Sequence, residues 1–436
     1  MSNQVGASQV NDQGHLLIGG VDTVDLAKSY GTPLIAYDTA NIRQQIRGFK
    51  KIFDSAGVNY QISYASKAFA TVAMYQLINQ ENINCDVVSA GELYTAMKAG
   101  FPMNKVSFHG NNKSVDELAL ALDQRIGCII IDNFHELHLL DQLTTARKQH
   151  INVMLRVTPG ISAHTHEYVM TGQEDSKFGF DIKSGQADSA IKQVLSAEYL
   201  DPIGAHCHIG SQIFATEGFI MAAQKMMDLI LKWRNEYNFD APVVNLGGGF
   251  GIRYTDDETP LHPEEFSQAI LEEMKKIASK NQINLPEIWI EPGRSIVGNA
   301  GTSLYTIGSH KEIPGVRKYV AVDGGMGDNI RPALYQAKYE TVLANKINAP
   351  VTQTVSIAGK YCESGDMLAW NQELPDTHSG DILAVLDTGA YGYSMASNYN
   401  RNPRPAVVFC ENGKSQLVVK REQLEDLTRL DVPLNN

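Results

Sequence analysis

The sequence predicts an α/β chain with an all-β addition: a (β/α)8 TIM-like barrel followed by a C-terminal β-sandwich or β-barrel domain. Two observations carry this reading. Between residues 60 and 290, eight short apolar runs alternate with amphipathic stretches of helical period, a pattern that pairs strands in parallel through right-handed crossovers. After Gly301 the runs become β-branched, and Gly, Pro, Asp and Asn separate them. The length of 436 residues also exceeds what one ordinary core serves.

Residues 1–38 open with a polar stretch and end on Leu34-Ile35-Ala36-Tyr37, an apolar run able to lend a strand to the β domain. They are read as an N-terminal segment joining that domain. Residues 39–300 are read as the barrel. Its strands are expected at Tyr60–Ala65, Cys85–Val88, Lys105–Phe108, Cys128–Ile131, Val153–Val157, Ile203–Cys207, Val243–Leu246 and Ile288–Ile290. Helices are expected at Ala70–Gln80, Ala90–Ala99, Ser114–Leu122, Phe134–Gln149, Phe219–Tyr237 and Pro263–Ser279. Eight such units fit a closed barrel better than an open sheet. The long polar stretch Thr158–Lys183 reads as a functional or covering loop. Residues 301–436 form the β domain, with strands expected at Lys318–Val322, Val351–Ile357, Ile382–Leu386, Ala406–Phe409 and Ser415–Val419.

Composition excludes several functions. The formal net charge is −12 and basic residues do not cluster, which argues against nucleic acid and anionic membrane as partners. The cysteines Cys85, Cys128, Cys207, Cys362 and Cys410 are scattered without a C-x-x-C pair, which fits a reducing cytoplasm better than a disulfide framework. The first residues lack a basic stretch followed by an apolar one, so neither a signal peptide nor a membrane span is expected.

In such barrels the chemistry lies at the C-terminal ends of the strands. Lys67 follows the first strand; folding does not need a lysine there, and a lysine in a partly closed pocket can lose its proton and attack a carbonyl. His206-Cys207-His208-Ile209-Gly210-Ser211 follows the sixth strand, Gly247-Gly248-Gly249-Phe250-Gly251 the seventh, and Glu291-Pro292-Gly293-Arg294 the eighth. Glycines let backbone N–H groups approach an anion, and Arg294 adds charged donors, so a phosphate site is favoured over simple turn glycines. Glu291 is either a structural ion-pair partner or an acceptor for a protonated ring nitrogen. A lysine, a phosphate site and a ring-nitrogen partner together describe a pyridoxal 5′-phosphate site. His206 and His208 are expected on one face of their strand. A metal on this pair would need further ligands; His109 and Asp323 are not patterned for it, and no metal is expected. His208 is read as an aromatic face on the cofactor, and His206 as a core histidine.

These motifs, with Ile330-Arg331-Pro332-Ala333-Leu334-Tyr335, Cys362-Glu363-Ser364-Gly365-Asp366 and the run from Gly389 to Asn400, appear in order from about residue 32 to 419. The ordered set closely resembles the diaminopimelate decarboxylase family, within the alanine-racemase-like (fold-type III) pyridoxal-phosphate enzymes. The resemblance implies decarboxylation of meso-2,6-diaminopimelate to L-lysine, the last step of lysine biosynthesis, through a cofactor imine and a carbanion. It implies that Lys67 holds the cofactor, that His208 stacks on its ring, and that Ser211 and the glycines Gly247, Gly248 and Gly249, with Gly293 and Arg294 beside them, hold its phosphate. Glu291 would bond the ring nitrogen and Tyr391 would contact the cofactor. Arg294 would also lie near the substrate carboxylate. Arg331 and Tyr335 would grip the far carboxylate, Glu363 the far ammonium, and Cys362 would protonate the α-carbon. Cys362 and Glu363 reach into the partner's site in this family, so a homodimer is implied. A decarboxylase of ornithine, arginine or carboxynorspermidine is the alternative. Two stretches depart from the family pattern: Met326-Gly327-Asp328-Asn329 stands where Met-Asn-Asp-Leu is usual, and Lys360-Tyr361 where Gly-Pro is usual.

Overall fold

Eight parallel strands close on themselves in the computed structural model, which describes residues 9–161 and 176–435. In chain order they are Tyr60–Ala65, Asn84–Val87, Val106–Phe108, Cys128–Ile131, Ile151–Thr158, Leu200–His206, Val243–Asn245 and Glu287–Ile290. Each pairs with the next, and the eighth pairs with the first, which closes the barrel. Gly204 is obligatory at the bulge between the fifth and sixth strands: its φ is +155° and a Cβ there would run into the Val243 carbonyl. The connecting helices begin where the sequence supplies caps. Ser89 and Asn133 accept from the backbone of Glu92 and Glu136, and Ser114 and Glu117 form a reciprocal capping box.

Inside the barrel, Cys128, Ile130, Met154, Val243 and Trp289 make an apolar plug. Side chains alternate along a strand, so the inward position two residues further on is Asp132, Arg156, Asn245 or Glu291. The barrel is therefore apolar at its base and charged one layer higher.

The second unit is mostly sheet. Its strands run in the order Met367–Leu374, Gln353–Ala358, Arg317–Val322, Gly301–Ile313, Leu34–Asp38, Ala406–Glu411 and Lys414–Val419. Ile382–Val385 pairs with both Gly301–Ile313 and Thr341–Leu343. Leu34–Asp38 pairs antiparallel with Gly301–Ile313 and parallel with Ala406–Glu411. Leu16, Leu26, Leu34, Leu304, Ala384 and Val408 meet in this unit's core.

The two units are bounded as Gln44–Ile252 with Pro260–Ile296, and as the residues up to Arg43 with Arg253–Thr259 and Val297 onward. Residues 253–259, expected in the barrel, thus belong with the sheet unit: the Tyr254 ring meets Tyr339 edge-on at 5.3 Å, and Asn299 Nδ2 donates to the Arg253 carbonyl at 2.8 Å. Strands at Gly301–Ile313, Thr341–Leu343 and Met367–Leu374 and helices at Thr39–Ala56 and Gln186–Ser196 add to those expected. Most of the Thr158–Lys183 stretch, 162–175, lies outside the described residues. No helix among the described residues is long and apolar enough to cross a membrane.

Candidate active site

Glu291 follows the eighth strand and is 6 % exposed. Asn245 Nδ2 donates to its Oε1 at 2.7 Å and His206 Nε2 reaches its Oε2 at 3.0 Å. His109 Nε2 also lies 3.0 Å from Oε1, although its ring is poorly aligned for a hydrogen bond. Burial pushes the Glu291 carboxyl up, but His109 and His206 more than offset this and hold it well below the usual carboxylate range. Burial pushes His206 down to about 4 and lowers His109 as well, so both imidazoles are neutral, and His206 is the donor. The site is an ionised carboxylate in a fully buried setting, held by N–H groups.

His109, His206 and Glu291 offer ligand atoms within 4.8 Å of one another, a set able to hold a metal. His206 already bonds the carboxylate and His109 stands against it, so a metal would have to displace those contacts. His206 and His208 do not share a strand face, contrary to the sequence expectation. The strand ends at His206, which points into the barrel, and His208 lies beyond it. His206 is accordingly a contact of Glu291 as well as a core residue.

His208 Nδ1 accepts from the Gly248 N–H at 3.3 Å. Burial, then the charge of Lys67, lowers the His208 imidazole well below its ordinary value, so the ring is neutral. Lys67 sits in the short turn Ser66–Ala68 after the first strand; it is exposed while both flanking residues are buried. Its charge also acts on Asp86, which is 4 % exposed and whose Oδ1 has no hydrogen-bond partner. Burial, then the charge of Glu291, raises the Asp86 carboxyl, and Lys67 opposes the shift.

The seventh-strand loop threads tightly between its neighbours. Gly247 has φ +67°, where a side chain would press on the Cys207 carbonyl, and one at Gly248 would strike the Glu291 carbonyl. Gly247 N–H donates to Asn245 Oδ1 at 2.9 Å, and its carbonyl accepts from Glu291 N at 2.8 Å. Arg294, 8 % exposed, donates from Nη2 to Ser211 Oγ at 3.0 Å, so a cation and a hydroxyl from the loops after the eighth and sixth strands stand together. Gly293 packs against the end of the first strand, its position for a Cβ 2.8 Å from Ala65 Cβ. Lys67, His208, Ser211, the 247–249 loop, Glu291, Gly293 and Arg294 thus all lie at one barrel mouth.

The remaining expected residues lie in the sheet unit. Arg331, 8 % exposed, donates to the Tyr339 hydroxyl, and its guanidinium lies 4.9 Å from the centre of the Tyr254 ring. Among the described residues no carboxylate forms an ion pair with it. Tyr335, on the same short helix, is 40 % exposed. Cys362 is an exposed free thiol, and its N–H donates to Asn400 Oδ1 at 2.8 Å. Glu363 is exposed and accepts from the Tyr399 hydroxyl at 3.3 Å. Tyr391 is half-buried with φ +58°, a left-handed conformation costly for a bulky residue.

Asn245, Asp86 and Arg156 were not expected at the site. Their signal was inward alternation: Asn245 and Arg156 each stand two residues beyond an apolar plug residue on the same strand.

The family model described as "Pyridoxal-dependent decarboxylase, pyridoxal binding domain" matches residues 39–298. The chain is 60 % identical over 428 residues to a diaminopimelate decarboxylase of Bacillus subtilis, covering 98 % of each chain. It is 47 % identical to that of Staphylococcus aureus, covering 96 % of this chain and 97 % of the relative. The crystal structure of a diaminopimelate decarboxylase from M. jannaschii in complex with L-lysine matches with a TM-score of 0.92 at 35 % identity, covering 98 % of this chain and 97 % of that one.

Proposed function

The chain belongs to the diaminopimelate decarboxylase family of pyridoxal-dependent decarboxylases, and we propose that its barrel mouth holds the cofactor while residues of the sheet unit recognise the substrate. It is a pyridoxal 5′-phosphate-dependent carboxy-lyase that converts meso-2,6-diaminopimelate to L-lysine and carbon dioxide. When bound, the cofactor supplies an electron sink for the bond broken at the α-carbon.

The observation that carries the assignment of the site is Glu291. A buried carboxylate kept ionised by the N–H groups of His206 and Asn245, with His109 close by, suits a protonated ring nitrogen, and the charge on that nitrogen makes the sink strong. Arg294, Ser211 and the backbone of 247–249 would hold the phosphate, with Gly293 allowing close packing beside them. Lys67 Nζ would hold the cofactor covalently. The neutral His208 ring would lie flat against it without competing for its charge.

Substrate recognition follows from charge. Diaminopimelate carries an ammonium and a carboxylate at its unreacting end. Arg331, buried on two tyrosine rings without a carboxylate partner among the described residues, offers a fork for that carboxylate, and Tyr335 a neighbouring hydroxyl. Glu363 takes the ammonium, and Arg294 also steadies the reacting carboxylate. Tyr391 would contact the cofactor, and the Cys362 thiol would supply the proton for the α-carbon. A diamine-forming reaction on ornithine would leave Arg331 buried and unpaired, which is costly. The exposure of Cys362 and Glu363 supports a homodimer in which they serve the partner's site. Scattered cysteines without disulfide pairing, four of them buried, support work in the cytoplasm.

Carbon dioxide release measured on meso-diaminopimelate, ornithine, arginine and carboxynorspermidine tests the reading. Release from diaminopimelate should dominate; faster release from any of the other three would overturn the assignment of Arg331.

A further inference from the structure

The two departures from the family pattern meet in space. Gly327 and Tyr361 stand in different loops of the sheet unit, yet a Cβ built on Gly327 would fall on the Tyr361 hydroxyl and Cζ and lie 2.8 Å from Cε1. Three atoms of one tyrosine side chain thus fill the place of a side chain at 327. The ring cannot simply swing aside, because it is 7 % exposed and stacks nearly parallel on Tyr399, with centroids 6.1 Å apart and planes 6° apart.

What the ring touches leads to the substrate-reading loop. Tyr399 donates its hydroxyl to Glu363 Oε2 at 3.3 Å, and its neighbour Asn400 accepts from the Cys362 N–H at 2.8 Å. The Gly327 carbonyl accepts from Ser397 N, which ties the loop bearing Tyr399 to the loop bearing Gly327. Asp366 accepts from Met326 N and from Tyr361 N at 2.6 and 2.8 Å, locking the other two loops together. Three loops therefore converge on one tyrosine ring, and the residues that flank it in sequence and space are Cys362 and Glu363.

We propose that Gly327 and Tyr361 are a matched positioning pair: the missing side chain at 327 admits the Tyr361 ring, and the ring, through Tyr399, fixes the Cys362–Glu363 loop for the substrate. This rests on the roles given to Cys362 and Glu363. Neither residue of the pair touches the reacting atoms; both act through the loop.

A double-mutant cycle on the full-length, cofactor-loaded enzyme tests it. Gly327→Ala should raise KM for meso-diaminopimelate by about tenfold, the shift of one lost interaction of ordinary strength, while the bound-cofactor absorbance stays unchanged. It should also change the rate at which iodoacetamide alkylates Cys362, which a remote structural defect would leave alone. In the Tyr361→Ala background, where the ring is gone, adding Gly327→Ala should cost less than about twofold further. Equal cost in both backgrounds, or no cost in the wild type, would overturn the pairing. Should Gly327→Ala not fold, Tyr361→Ala alone carries the test: an unchanged KM and unchanged Cys362 alkylation would overturn the role of the ring. Glu363→Gln, assayed alongside, separates the layers. If it leaves KM unmoved, the role of Glu363 falls and this inference with it. If it raises KM while the cycle is additive, the inference alone falls.

Discussion

Replacing His206 by Phe keeps the ring's shape, its burial and its edge-on contact with His109, 4.9 Å between centroids, but removes the N–H that reaches Glu291 Oε2 at 3.0 Å. A hydrogen bond to a charged group contributes about 1.5–3 kcal/mol. Losing it therefore moves the Glu291 carboxyl up, back toward the ordinary carboxylate range. The sign follows from what the bond stabilises: it favours the ionised form, so its loss makes protonation easier and moves the acid limb of activity to higher pH. Asn245 and His109 remain, so Glu291 stays ionised near neutrality and most activity survives there. The assay is the pH profile of kcat/KM for diaminopimelate, wild type against His206→Phe, with the bound-cofactor spectrum recorded at each pH. An acid limb that does not move would show that His206 does not set the state of Glu291.

Three further outcomes follow from the geometry. Lys113, buried, donates to Glu136 Oε1 at 2.7 Å and to the carbonyls of Gly110 and Ile130. Lys113→Met should therefore cost about 3–5 kcal/mol in urea unfolding by stranding Glu136, and Lys113→Met with Glu136→Leu should recover much of it. Burial raises the Asp387 carboxyl to about 7, so the folded chain keeps a proton that the unfolded chain loses from pH ~4 upward. Stability should fall across that window, by up to about 4 kcal/mol from this group, and Asp387→Asn should flatten part of the fall in melts between pH 4.5 and 8. Arg331→Lys keeps the charge but loses the fork and the stacking on Tyr254, so KM for diaminopimelate should rise about tenfold or more with kcat less affected.

The barrel was legible because its strands are buried on both faces and read as short continuous apolar runs; Cys128–Ile131 is buried at every position. The strand Gly301–Ile313 was not, because its second half is exposed and polar and carries no burial pattern. Met367–Leu374 likewise alternates poorly and leaves Trp370 53 % exposed. At the site, Lys67, Gly247, Glu291 and Arg294 could be found from strand order, since barrel chemistry sits at strand ends. Asn245 could be found only from inward alternation, and His109 not at all, because it is a lone polar residue whose partner is contributed by another strand. The pairing of Gly327 with Tyr361 was hidden for the same reason: two unrelated departures in sequence become one packing solution only in three dimensions.

The most direct measurement is a side-by-side incubation of the purified wild type and Lys67→Ala with pyridoxal 5′-phosphate and meso-diaminopimelate, following L-lysine, carbon dioxide and bound-cofactor absorbance together. The expected result is equimolar lysine and carbon dioxide from the wild type, with loss of turnover and of the covalently bound cofactor's absorbance in Lys67→Ala. Full turnover by Lys67→Ala, or wild type that loads the cofactor yet releases no lysine, would contradict it.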